Sequence, residues 1–222
     1  MRVVAMNGFM RALLVLGLVL LLVAVVVLSL MGKRRSVARA EEVLATLCMQ
    51  IGLSPMAAGA SAIKYFREYP SFDSPVRLAA GRVDGFYVET CFIPIVGRSA
   101  KGRTLVGLQG PARFGVEVGL SRRDAVSGIT NSLFGQANGI GSQPLFGHYS
   151  GWGPPAEVAR IFTPAAQAMT LAFPRSLDQV MVYGQDVVLM WKGIEEDASV
   201  MKQAIRLGAS LYEAASKSVH QG

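Results

Sequence analysis

The chain has 222 residues, with 22 Lys and Arg against 15 Asp and Glu for a formal net charge of +7; it is 51% hydrophobic and contains two Cys and two His. That length admits one domain with a sizeable core, and two cysteines exclude a disulfide-stapled scaffold. With only His148 and His220 beside Cys48 and Cys91, a four-ligand zinc constellation is hard to assemble, so neither a metal nor a cofactor is expected.

Residues 12–31, ALLVLGLVLLLVAVVVLSLM, are twenty uncharged, almost wholly apolar residues between Arg11 and the cluster Lys33, Arg34, Arg35. At about 1.5 Å per residue such a helix covers the roughly 30 Å hydrocarbon core of a bilayer and satisfies its own backbone there. The expected organisation is a short tail over 1–11 and a single transmembrane helix over 12–31. A basic flank with a juxtamembrane helix follows over 32–56, and a globular domain over 57–222. A cleaved signal peptide is the rival reading, because Ala38-Arg39-Ala40 resembles a small-x-small cleavage site. Signal sequences, however, have apolar regions of about 7–15 residues, and here three cations separate the run from the cut.

Lys33, Arg34, Arg35 and Arg39 follow the run, against Arg2, Arg11 and the terminal amine before it, which favours a cytoplasmic C-terminal domain and a single-pass protein of the cell membrane. Arg11, Lys33, Arg34 and Arg35 are placed to contact lipid headgroups, making the bilayer the first partner. Setting aside the six flanking cations and Glu41 and Glu42 leaves sixteen cations against thirteen acids in residues 43–222. That mild excess, without aromatics interleaved among the basic residues, gives no expectation of nucleic-acid binding.

Downstream of the flank, Val37, Ala40, Val43, Leu44, Leu47, Cys48 and Ile51 recur at helical spacing, with Gly52 and Pro55 as stop signals. A second helical stretch covers about 58–69. The period then shortens: 76–80, 85–96 and 104–108 read as strands of a hairpin or meander, and 114–120 as another strand. Residues 127–144, SGITNSLFGQANGIGSQP, read as a long uncharged loop without the Gly-Lys-Ser/Thr ending of a phosphate-binding loop. Residues 145–149 read as a short strand and 151–155 as a turn. Pro154 and Pro155 open a helix over 156–162, and Thr163 caps another over 165–173 with Pro164 at its first position. Residues 178–183 and 186–191 form a hairpin around Gly184-Gln185, and Glu195, Glu196 and Asp197 load the start of a terminal helix reaching about Ser216. Strands and helices do not alternate singly, so the expected class is α+β, with a mainly antiparallel sheet and packed helices.

The layout, carried by Gly81–Val88 (GRVDGFYV), Leu145–Tyr149 followed by Ile161–Pro164, and Val180–Trp191 leading into the Asp197 helix, resembles uncharacterised bacterial single-pass membrane proteins of a domain-of-unknown-function type. The resemblance spans about residues 37–215 and implies a membrane-anchored protein.

His148 lies between Gly147 and Tyr149, inside the folded region, and is the weak catalytic candidate, since an imidazole titrates near neutrality. No nucleophile elbow and no nearby carboxylate accompanies it. Trp152, in Gly-Trp-Gly, is the candidate interaction residue, whereas Trp191 is expected in the core. Cys48 and Cys91 are expected as buried thiols; a disulfide between them is the alternative in an oxidising compartment. The expected function is a membrane-anchored, non-enzymatic interaction or assembly module with protein partners or an envelope assembly around it. The alternative is a membrane-tethered hydrolase or transferase using His148 and the Gly-rich 127–144 loop.

Overall fold

The computed structural model describes residues 8–57, 59–68, 77–93, 102–123 and 144–219. The chain divides into two compact units, Met1–Arg39 and Ala40–Gly222. Helix α1, Gly8–Ile51, runs through the end of the first unit into the second. In the first unit it turns Leu14, Leu18, Leu21, Val25 and Leu28 outward on all sides, and it is long and apolar enough to cross a membrane. A helix apolar all round suits lipid, where no polar face is needed.

The second unit is α+β. The last turns of α1 bury Ala40, Leu44, Leu47, Cys48 and Ile51, so the expected amphipathic stripe belongs to the domain core, ahead of residue 57. Gly52, at φ 75°, ends the helix by donating its N–H to the Cys48 carbonyl at 3.0 Å. After it come β1 (Ser54–Met56), α2 (Lys64–Glu68), β2 (Arg77–Val83), β3 (Phe86–Ile93), β4 (Arg103–Gln109) and β5 (Glu117–Arg122). They are followed by α3 (Pro144–His148), β6 (Tyr149–Trp152), α4 (Pro155–Ile161) and α5 (Pro164–Leu171). The hairpin β7 (Leu177–Tyr183) and β8 (Asp186–Lys192) and helix α6 (Ala198–Val219) complete the described residues.

The eight strands form one sheet in the order β1-β2-β3-β4-β8-β7-β5-β6, every neighbouring pair antiparallel. Alternation along the strands sends neighbouring residues to opposite faces. One face, with Val88, Phe92, Val106, Leu108, Leu189 and Trp191, packs against α1, α4, α5 and α6. The other, with Cys91, Ile93, Leu105, Val188 and Met190, packs against Ile63 and Phe66. Val200, Ile205, Leu207 and Leu211 of α6 are buried as the pattern predicts, and so is Trp191.

Several local expectations change. Residues 145–149 are not a strand: Pro144–His148 is a helical turn, and the strand begins at Tyr149 and includes Gly151 and Trp152, expected in a turn. Aromatic and branched residues favour strands, but Pro144 at a first helical position and the pairing of Tyr149–Trp152 with β5 decide otherwise. Pro55 does not merely stop a helix; it lies in edge strand β1, where a missing N–H is tolerated. Strand β5 starts at Glu117 rather than 114, α2 covers only Lys64–Glu68, and α6 starts at Ala198, past Glu195.

Candidate functional site

Pairing of Arg103 with Lys192, Leu177 with Trp191 and Arg122 with Tyr149 brings β4, β8, β7, β5 and β6 to a common end of the sheet. Sequence alternation alone leaves those cations scattered; the antiparallel register gathers them. Asp178 is buried among them, with Lys192 Nζ 3.9 Å from its Oδ1. Burial pushes the Asp178 carboxyl above its usual range, and Lys192, Arg103 and Arg122 partly offset this. The neighbouring Tyr149 hydroxyl is also pushed up by burial, against the pull of Arg122.

The same end holds a carboxylate–guanidinium pair. Glu195, 3% exposed, accepts from Arg175 through Nε at 2.9 Å and a second nitrogen at 3.1 Å, and from the backbone N–H groups of Glu196 and Asp197 at 3.2 and 3.1 Å. Its own N–H donates to Thr104 Oγ1 at 2.9 Å, and that hydroxyl donates to the Gly193 carbonyl at 2.7 Å. The acidic triplet therefore divides its labour. Glu195 braces the β8–α6 connection, and Asp197 accepts the Ser199 N–H at 2.8 Å as the cap of α6; the Ser199 hydroxyl first, and that N–H second, hold its carboxyl below the usual range.

Between these groups and the end of α5 is a depression of about 250 Å³ lined by Arg122, His148, Tyr149, Thr170, Leu171, Phe173, Pro174, Arg175 and Ser176. Its lining has two guanidinium groups and no carboxylate. The structure thus places the catalytic candidate His148 beside Arg122 and Arg175, neither of which the sequence singles out. His148 is exposed, and among the described residues no hydrogen bond reaches its side chain. Residues 127–143 of the Gly-rich loop lie outside the described residues. Among the described residues no three His, Cys, Asp or Glu side chains converge as metal ligands would.

Trp152 is half-buried on edge strand β6, its ring packed over Gly119 of β5, where an added Cβ would lie 2.6 Å from ring carbons and 2.6 Å from the Val180 carbonyl. Arg34 and Arg35 are exposed on α1; Arg11 and Lys33 lie in the same helix, their side chains outside the described residues. Cys48 and Cys91 are free and buried, in the two clusters on opposite faces of the sheet, and burial pushes both thiols up, with Glu89 adding to the effect at Cys91.

A second acidic group sits under α2. Glu89 accepts from the Ser61 hydroxyl and from the Ala62 N–H at 2.6 Å. Asp186 accepts from the Lys64 N–H at 2.9 Å and Gln109 Nε2 at 3.0 Å. Burial raises the Asp186 carboxyl, the two donors oppose this, and Glu89 reinforces it. These carboxylates fasten residues 61–64 to the sheet, which assigns them a structural role.

No protein-family model matches the chain, and no curated protein matches it in sequence. Among solved structures it is similar to the crystal structure of the mycobacterial trehalose monomycolate transport factor A, TtfA, with a TM-score of 0.56 and 10% identity over 76% of this chain and 90% of that one. At that identity the likeness establishes a shared fold.

Proposed function

We propose that this chain is a membrane-anchored, non-enzymatic interaction module that serves an envelope assembly, in the manner of a transport factor. The observation that carries the reading is the fold shared with TtfA over 90% of that chain, since TtfA is described as a transport factor. Two features of this chain support it. One helix is long and apolar enough to span a bilayer, and His148 has no bonded partner among the described residues. The reading puts the domain on the cytoplasmic side, supported by the four cations that follow the apolar run. The partners proposed are the lipid bilayer and a protein of the envelope machinery.

The test is chemical crosslinking of the tagged full chain in native membranes, followed by native electrophoresis and identification of its neighbours. An integral membrane transport protein recovered with the chain is the expected result. Recovery of monomer and lipid alone overturns the reading. A reporter fused at Gly222 checks the side: activity of a cytoplasm-specific reporter is expected, and activity of an exterior-specific one refutes the placement.

A further inference from the structure

Helix α5 is built inside out. Its polar side chains, Gln167 and Thr170, are 8% and 2% exposed, and each is satisfied within the protein: Gln167 Nε2 donates to the Phe162 carbonyl at 2.7 Å, and Thr170 Oγ1 to the Ala166 carbonyl at 2.7 Å. Its outward residues are Pro164, Ala165, Ala168, Met169 and Leu171, the last two 36% and 42% exposed. From Ile161 to Pro174 the sequence IFTPAAQAMTLAFP carries no charge. A surface helix of a water-soluble domain ordinarily places polar groups outside. Here the face that needs them has none, while the hydrogen-bonding groups are spent inward.

This face ends at the 250 Å³ depression: Leu171 is shared by both, and the lining also includes Arg122 and Arg175, the latter held by the Glu195 carboxylate. An apolar helix face bordered by cations is the arrangement of an interfacial helix, whose hydrocarbon side enters the acyl boundary while cations meet anionic headgroups. Only eight residues separate Met31, the end of the apolar run, from Ala40, the start of the domain. By chain length alone Ala40, the first residue of the domain, lies within about 30 Å of Met31. A bilayer crossed by the apolar run is therefore close to the start of the domain.

We infer that α5 is a second membrane contact: Met169 and Leu171 enter the headgroup–acyl boundary of an anionic bilayer, and Arg122 meets lipid phosphate beside them. The domain is then held at the surface at two points, the span and this helix. The contact needs lipid only, so it stands or falls separately from the protein partners proposed above.

The test uses the full chain, one copy per lipid nanodisc, carrying Leu171→Cys or Met169→Cys labelled with an environment-sensitive fluorophore; the native thiols are buried and stay unlabelled. Arg82→Cys, on exposed β2, is the reference. In discs containing phosphatidylglycerol, spin-labelled lipid should quench the fluorophore at 169 and 171, and iodide quenching there should be at least about threefold weaker than at 82. Pure phosphatidylcholine or high salt should diminish the difference, as should Arg122→Glu in a variant whose near-ultraviolet circular dichroism is unchanged. Equal iodide access at 171 and 82 overturns the inference. Shielding that appears only with two copies per disc also overturns it, because the face then meets a second copy and not lipid.

Discussion

The Arg175 guanidinium reaches across twenty residues of sequence to grip the buried Glu195 carboxylate with two hydrogen bonds, at 2.9 and 3.1 Å. Removing the cation leaves a buried charge on backbone donors alone. Because Arg175 is half exposed and partly screened, Arg175→Met should cost about 1–2 kcal/mol rather than the roughly 3–5 kcal/mol of a fully buried pair. In chemical unfolding followed by near-ultraviolet dichroism, Arg175→Met with Glu195→Met should be less damaging than the sum of the single changes. Additivity to within about 0.5 kcal/mol would mean that the pair is not coupled.

Asp186 gives stability a pH dependence of known sign. Its carboxyl is raised in the folded chain, mainly by burial, so the folded state favours the protonated form. Its stabilisation is complete below the unfolded value near 3.8 and is lost as pH rises through the higher folded value. Asp186→Asn lacks that loss. Its melting temperature relative to the unmodified chain should therefore climb from pH 4 towards pH 7, and a gap that stays flat or narrows with rising pH contradicts the assignment.

Cys48 and Cys91 lie on opposite faces of the sheet, and both thiols are pushed up by burial. Maleimide should label them at least about a hundredfold more slowly in the folded chain than in denaturant, because the thiolate is the nucleophile. An oxidant should produce no internal bridge. Prompt stoichiometric labelling of the folded protein would refute this, and so would a disulfide between the two.

Gly119 makes room for Trp152. A Cβ there would meet both the indole ring and the Val180 carbonyl, so the ring cannot relieve the clash by turning alone. Gly119→Ala should destabilise by about 1–3 kcal/mol and shift the tryptophan emission as β6 is displaced. Unchanged emission with an unchanged melting point would show that β6 yields freely.

What the sequence discloses here follows the range of its interactions. The Gly184-Gln185 turn, with Gly184 at φ 68°, and the Thr163 cap, whose hydroxyl accepts the Ala166 N–H at 3.3 Å, are set by adjacent residues and are legible directly. Asp84-Gly85, both at positive φ, carried an equally local hairpin signal that fixes the β2–β3 turn. The cationic end is not local. Arg122, Arg175 and Lys192 meet through a strand order that no periodicity encodes, so His148 could be picked out while its neighbours could not. The face of α5 was hidden for another reason: a helix apolar nearly all round does not say which side is covered, and its two polar residues pointed to the wrong one.

The β7–β8 hairpin is wedged between β4 and β5, which never touch each other. Strand β5 acquires its inner neighbour only when β7 is complete at Tyr183, and β4 only when β8 is complete at Lys192. At about 5–20 residues per second, roughly 8–32 s of translation separate Met31 from that point. From the completion of β5 at Arg122 until the hairpin follows, the nascent chain has two unzipped borders and no means of joining them. The last hairpin acts as a keystone, so assembly finishes in one late step, and a chain cut short of it keeps sticky margins that only a chaperone or an aggregate will cover.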